Sequence, residues 1–205
     1  MEEWRRGWRT VLGAALAAAT GVNLLYFVFS LFIPQLQKET GWTLGEFSQL
    51  QALVGIGSLA APLVGWAMDR FGCRKVWASG MVAIALLYLF LGFAAVIPAL
   101  FGIMVFATGL IGVATTSISY TRAVNGWFSS QRGLALALSA TGLSLAAIFM
   151  PPVLERIITL EGWRTGYFML AALALLIGLP SILFLVSDTP PRKPNDAERA
   201  ILAEE

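Results

Sequence analysis

The sequence predicts an all-α membrane protein of six transmembrane helices. Three observations carry that prediction: composition, six apolar runs of bilayer-crossing length, and a lopsided distribution of bases. The chain has 205 residues, 58% hydrophobic and 13% charged, with a mean hydropathy of +0.75. A soluble domain of this size cannot bury so much apolar surface, so lipid is its natural solvent. There is no His and one Cys. That pair of counts excludes disulfide frameworks, His-based acid–base chemistry and nearly every transition-metal site. No cofactor and no metal are expected, and Cys73 reads as a bystander in a loop.

Residues 1–9 form a short charged head. The first apolar run, 10–33, exceeds the apolar core of a cleaved signal peptide, about 7–15 residues. It can cross a bilayer, which takes about 20 residues. Runs at 47–68, 76–96, 99–120, 134–154 and 165–186 follow. In lipid a backbone must satisfy its own hydrogen bonds, so each run is predicted to be a helix. Pro151 and Pro152 are expected to break or kink the fifth helix at its outer end. Trp8, Trp42, Trp127 and Trp163 fall near span ends, as an interfacial aromatic belt would place them. Residues 1–190 thus read as one membrane domain. Residues 191–205 read as the start of a cytoplasmic linker or tail: a proline-rich exit, then a short helix capped by Asn195 or Asp196.

Orientation follows from the bases. With the amino terminus inside, eleven Lys and Arg fall on the inner side: Arg5, Arg6, Arg9, Arg70, Arg74, Lys75, Arg122, Arg132, Arg192, Lys193 and Arg199. Only Lys38, Arg156 and Arg164 fall outside. The positive-inside rule then places both termini in the cytoplasm of a multi-pass plasma (cell inner) membrane protein. The bases are dispersed among loops, so no nucleic-acid partner is expected. The third and sixth spans are each preceded by a loop holding charge and glycine, DRFGCRK and LEGWRTGYF, on opposite sides of the membrane. An inverted pair of three-helix repeats would produce that echo.

The gap between the second and third spans reads Gly65-Trp66-Ala67-Met68-Asp69-Arg70-Phe71-Gly72-Cys73-Arg74-Lys75, or G-x-x-x-D-R-x-G-x-R-K. It resembles the signature loop between the second and third helices of the major facilitator superfamily of transporters, with Cys73 where a further base is usual. Glu161 to Phe168 is similar to the G-W-R-x-x-F pattern entering the sixth helix of that family. Tyr120 to Phe128, continued by Gln131-Arg132-Gly133-Leu134-Ala135, resembles the loop between the fourth and fifth helices in its monocarboxylate and oxalate/formate branch. Thr40-Gly41-Trp42-Thr43 resembles the same branch. The first helix lacks the acidic, glycine- and tryptophan-rich opening often seen in monocarboxylate carriers. The resemblance covers essentially the whole chain and implies the amino-terminal six-helix half of such a transporter.

Several residues become candidates for function. In the hairpin, Gly65 would allow close approach of a neighbouring helix and Gly72 would turn with positive φ. Arg74 and Lys75 would sit beside anionic headgroups. The resemblance implies that Asp69 meets a helix end of the other half-domain while Arg70 joins a local charge relay, latching one side shut. Arg122 and Arg132 mark the second loop motif. No span carries an ionisable residue near its middle, so hydroxyls and amides are what the interior offers. Thr20, Asn23, Tyr26 and Ser30 share about a third of the first helix's circumference. Thr108, Thr115 and Ser119 form nearly one stripe on the fourth. The resemblance implies that these two helices line a central cavity, where the stripes would contact solute; helix–helix hydrogen bonding is the structural alternative. Small residues recur on the second helix (Gly55, Ser58, Pro62, Gly65) and the fifth (Gly133, Ala137, Ala140, Ser144, Ala147), as sliding surfaces would require.

The expected protein is a secondary active transporter moving a small solute, such as an organic anion or monocarboxylate, by alternating access. Its expected partners are that solute, the lipid bilayer and a second six-helix half. The alternative is a half-length or truncated membrane protein acting through assembly rather than transport. An integral-membrane enzyme would need a buried nucleophile, acid or metal site that the spans do not offer.

Overall fold

The computed structural model describes residues 2–93 and 98–187. The tail at 191–205, its capped helix and its three bases lie outside the described residues, as does the end of the third apolar run. Among the described residues there is no strand. Among the same residues six helices are long and apolar enough to cross a membrane: α1 Glu3–Thr40, α2 Leu44–Phe71, α3 Cys73–Phe93, α4 Leu100–Asn125, α5 Arg132–Glu161 and α6 Trp163–Phe184. At 1.5 Å per residue the 38 residues of α1 reach about 57 Å, well beyond a hydrocarbon core of about 30 Å. Its ends therefore project from the membrane. Successive helices alternate in direction. One face, the Gly72 face, gathers the start of α1, the α2–α3 turn, the α4–α5 loop and the end of α6. The other, the Gly162 face, gathers the α1–α2 loop and the α5–α6 turn.

The inverted repeat is visible in the backbone. α1 is interrupted at Gly21, an extended residue with φ −76° and ψ −171°. α4 is interrupted at Thr116, with φ −87° and ψ −171°. The two breaks meet: the Val22 N–H donates to Thr115 Oγ1 at 3.0 Å. A helix restart orphans its first N–H groups, and in lipid no water is at hand to serve them. Thr115 supplies one missing acceptor from the other repeat. Glycine is required at 21 because a Cβ there would lie 2.7 Å from the Thr115 carbonyl.

The helix crossings repeat as well. A Cβ on Gly142 of α5 would lie 2.1 Å from the Ala15 carbonyl of α1. A Cβ on Gly57 of α2 would lie 2.6 Å from the Leu110 nitrogen of α4, and one on Gly109 would lie 2.5 Å from the Val54 carbonyl. With α1–α3 laid over α4–α6, the α1–α5 and α4–α2 crossings are the same contact. The core lies between these helices and the fully buried faces of α3 and α6, including Trp77, Met81, Ile84, Tyr88, Tyr167 and Leu170.

The packing bears on several expectations. α5 is not broken at its prolines; it runs unbroken from Arg132 to Glu161 with Pro151 and Pro152 inside it. The small-residue stripes are not the close contacts within this bundle. A Cβ at Gly55, Gly65 or Gly133 would meet nothing within 4 Å, because those positions face outward. The close approaches fall instead at Gly57, Gly109 and Gly142. Trp163, at the start of α6, is buried, at 3% exposure.

Candidate functional site at the Gly72 hairpin

α2 stops because Gly72 adopts φ +93° and ψ 143°, a backbone that side-chain-bearing residues rarely take, as the sequence predicts. Its N–H still donates to the Met68 carbonyl at 3.1 Å, closing the last turn of α2. This turn presents Asp69 towards the end of α4. There Arg122 donates from Nη1 to Oδ1 at 2.6 Å and from Nη2 to Oδ2 at 3.1 Å. The two parallel bonds form the planar fork that suits a guanidinium and a carboxylate. Nη1 also donates to the Gly65 carbonyl at 3.0 Å, so a cation closes the carboxyl end of α2, where the helix dipole favours it. Asp69 nonetheless keeps 67% of its side chain exposed.

The two loop motifs read separately in the sequence are thus one site. Arg70 is not in the Asp69 pair; its guanidinium lies 5.6 Å from the centre of the Trp66 ring and 5.8 Å from that of Phe71. Arg74 donates to the Leu183 carbonyl, tying the start of α3 to the end of α6. Lys75 is exposed. Arg132 donates from Nε to the Phe128 carbonyl at 3.3 Å.

The interior candidates divide. On α1, Asn23 is half-buried, Tyr26 is 38% exposed and Ser30 is exposed, so these three remain open to a solute. On α4, Thr108, Thr115 and Ser119 are buried. Their hydroxyls donate to the carbonyls of Val105 at 2.7 Å, Gly112 at 2.8 Å and Ala114 at 2.5 Å. Their positions are those of helix stitching, with Thr115 serving the break in α1 as well.

Two charge clusters escaped the sequence reading. On the opposite face Gly162 repeats the hairpin backbone, with φ +92° and ψ 163°. Arg164 grips Glu39 at the end of α1, Nη2 to Oε1 at 2.6 Å and Nη1 to Oε2 at 3.1 Å. The Trp163 indole N–H donates to the same carboxylate at 2.6 Å. The shared spacing of Gly72–Arg74 and Gly162–Arg164 was the available signal. The second cluster is formed by Glu3, whose carboxylate accepts from the N–H groups of Ser129 (3.2 Å), Ser130 (3.3 Å) and Gln131 (3.4 Å). Both serine hydroxyls donate to it too, at 2.7 and 3.2 Å. Trp4 packs edge-on to Phe128, with ring centres 4.9 Å apart. The opening of α1 is therefore docked on the α4–α5 loop. Among the described residues no cluster of three or more His, Cys, Asp or Glu could hold a metal ion.

Comparison with known proteins agrees with this architecture. The sequence model described as Major Facilitator Superfamily matches residues 11–204. The MFS-type transporter pytF of Aspergillus terreus is 25% identical over 209 residues, covering 97% of this chain and 68% of that protein. Human monocarboxylate transporter 11 is 28% identical over 199 residues, 92% of this chain and 41% of that one. The probable sulfoacetate transporter SauU of Cupriavidus necator is 26% identical over 166 residues, covering 74% of this chain and 37% of the relative. The chain thus spans well under half the length of the last two.

Proposed function

The chain belongs to the major facilitator superfamily, and on that premise we propose that it serves as one six-helix half of a secondary active transporter. Its solute is a small organic anion, carried by alternating access between this half and a second one. The observation that carries the reading is the division of the bundle's surfaces. α3 and α6 turn broad faces into the half, whereas α2 and α5 are its least buried helices. Their outward stripes bear Gly55, Ser58, Gly65, Gly133 and Ser144, small residues that a second set of helices could approach closely. Asn23, Tyr26 and Ser30 of α1 supply hydrogen bonds to the solute.

The Asp69–Arg122 fork is the switch element in this reading. Asp69 is held in place yet largely exposed, so a helix end of the second half can compete for it. Gaining that contact in one state and losing it in the other biases the equilibrium between the two. The Gly72 face is the cytoplasmic one, because its segments hold eight of the eleven Lys and Arg among the described residues. The membrane is the plasma (cell inner) membrane. The class of solute rests on relatives named as monocarboxylate and sulfoacetate transporters.

The test is uptake of labelled monocarboxylates and sulfonates into proteoliposomes holding this half together with a second half. Asp69→Asn keeps the shape and removes the charge. Uptake should fall while insertion and expression stay normal. Unchanged uptake would sink the switch, and no uptake of any anion by the unmodified protein would sink the solute class.

A further inference from the structure

Past its capped first turn, α2 carries two serines and two glutamines before it reaches Asp69: Ser48, Gln49, Gln51 and Ser58. Both serines spend their hydroxyls on the helix itself. Ser48 donates to the Leu44 carbonyl at 3.0 Å and Ser58 to the Gly55 carbonyl at 2.6 Å. Neither glutamine has a hydrogen-bond partner among the described residues. The two differ in direction, because two residues turn a helix by about 200°. Gln49 lines the groove between α2 and α4, beside Glu46 and Ile103. Gln51 borders a small hollow with Leu25 and Tyr26 of α1.

Gln51 is exposed, although it stands about 10 Å into a span that starts at Leu44. Gly55 follows one turn on, and a Cβ there would meet nothing within 4 Å, so the amide is uncovered on that side too. Tyr26 is 38% exposed, and its hydroxyl is likewise without a partner among the described residues. An amide and a phenol left open within membrane-crossing helices are costly unless a polar guest or a water-filled passage meets them. The two belong to different helices yet stand beside each other, at the face of α1 that also carries Asn23 and Ser30.

We propose that Gln51 contacts the solute and sets selectivity for its polar head, with Tyr26 and Asn23 reading the same head from α1. This rests on the transport function proposed above and adds a second helix to the solute site. A carboxylate or sulfonate only accepts hydrogen bonds, so the Gln51 Nε2 group, the Tyr26 hydroxyl and the Asn23 Nδ2 group are its donors here. None of them carries a charge, and their part is to orient the head group. A solute whose head cannot pair leaves the amide unsatisfied, and a site of that kind discriminates strongly.

The test uses this half together with a second half in proteoliposomes. Uptake of monocarboxylates and sulfonates by the unmodified protein is measured first, and it judges the transport function by itself. If no anion is carried, that function falls and the role of Gln51 with it. Gln51→Met keeps the length of the side chain and breaks no bond within the half. KM for the transported anion should rise roughly tenfold or more, as expected for one lost hydrogen bond to a charged group, while kcat changes little. The thermal midpoint without solute should stay the same, and its rise on adding solute should shrink. An unchanged KM overturns the proposal and leaves the transport function standing. Gln51→Cys gives an independent answer. A methanethiosulfonate reagent should label position 51, read peptide by peptide by mass spectrometry so that Cys73 stays in place, and saturating solute should slow that labelling several-fold. Leu160→Cys, at the 76% exposed end of α5, should be labelled at a rate that solute does not change. No labelling at position 51, or labelling that solute does not slow, overturns the proposal.

Discussion

Residues 2–93 and 98–187 fold the same three helices twice, and the two copies satisfy the same needs by different means. Each opens with a broken helix whose extended residue stands at a similar depth: Gly21 is 19 residues after Glu2, Thr116 is 18 after Pro98. Each joins its second and third helices through a glycine near φ +92°. The means differ at the helix starts. α2 begins with a local capping box, the Thr43 hydroxyl accepting from the Glu46 N–H while Glu46 accepts from the Thr43 N–H. α5 has no side-chain cap of its own at Gln131, and Glu3 arrives from 128 residues away to accept its N–H. The ion pairs differ as well. At the Gly72 face the acid ends α2 and the base ends α4; at the Gly162 face the acid ends α1 and the base starts α6. Symmetry constrains the backbone, and side chains are recruited wherever they come within reach.

The strongest way to break the comparison is at the helix crossings. Gly142→Ala and Gly57→Ala should each destabilise the half by about 1–3 kcal/mol or more, because the new methyl meets backbone that cannot yield. Gly55→Ala, in open space, should leave the half unharmed. Thermal unfolding in detergent or nanodiscs measures all three. Equal effects at 57 and 55 would refute the crossing geometry.

The turn glycines come next. Gly72→Ala and Gly162→Ala force alanine into a region costing on the order of 1–3 kcal/mol. The two should lose similar amounts, since the backbones match. A large difference would show that one hairpin relaxes and the repeat is only approximate.

The helix starts offer a smaller and more local contrast. Thr43→Ala should cost about 0.5–2 kcal/mol and act only on α2. Glu3→Gln should instead loosen a distant pair, speeding amide exchange at Ser129, Ser130 and Gln131 together with proteolysis near Trp4. If Glu3→Gln leaves the 129–131 amides protected, the cap across the bundle is not needed.

The ion pairs are expected to have the least effect on stability, for they are half exposed and such pairs contribute little. Their effect should appear in function. Exchanging Glu39 and Arg164 should restore the pair at the Gly162 face and leave uptake near normal. Exchanging Asp69 and Arg122 should restore that pair yet depress uptake by roughly tenfold, within the range of a typical coupling between states. Equal behaviour of the two exchanges would mean that both forks are structural.

Much of this was legible in the sequence. A bilayer demands about 20 apolar residues per crossing and forbids unpaired backbone, so length and hydropathy alone yield six helices. The positive φ at Gly72 was legible because an abrupt gap between two spans leaves few other turns. The echo of DRFGCRK in LEGWRTGYF announced the repeat. Which glycines pack was not legible, for Gly55 and Gly57 look alike until the face of α2 is known. Nor was the fate of the hydroxyls: Thr108, Thr115 and Ser119 share a stripe just as Asn23, Tyr26 and Ser30 do. The former turn inward to bond their own helix, whereas the latter stay open. The same holds for Glu3, Glu39 and Asp69, whose partners lie 53 to 128 residues away. Local solvent preference is written residue by residue, so the chain by itself determines what crosses the membrane. Partner choice depends on the rotation of each helix about its axis, and that angle is set only when all six helices pack together.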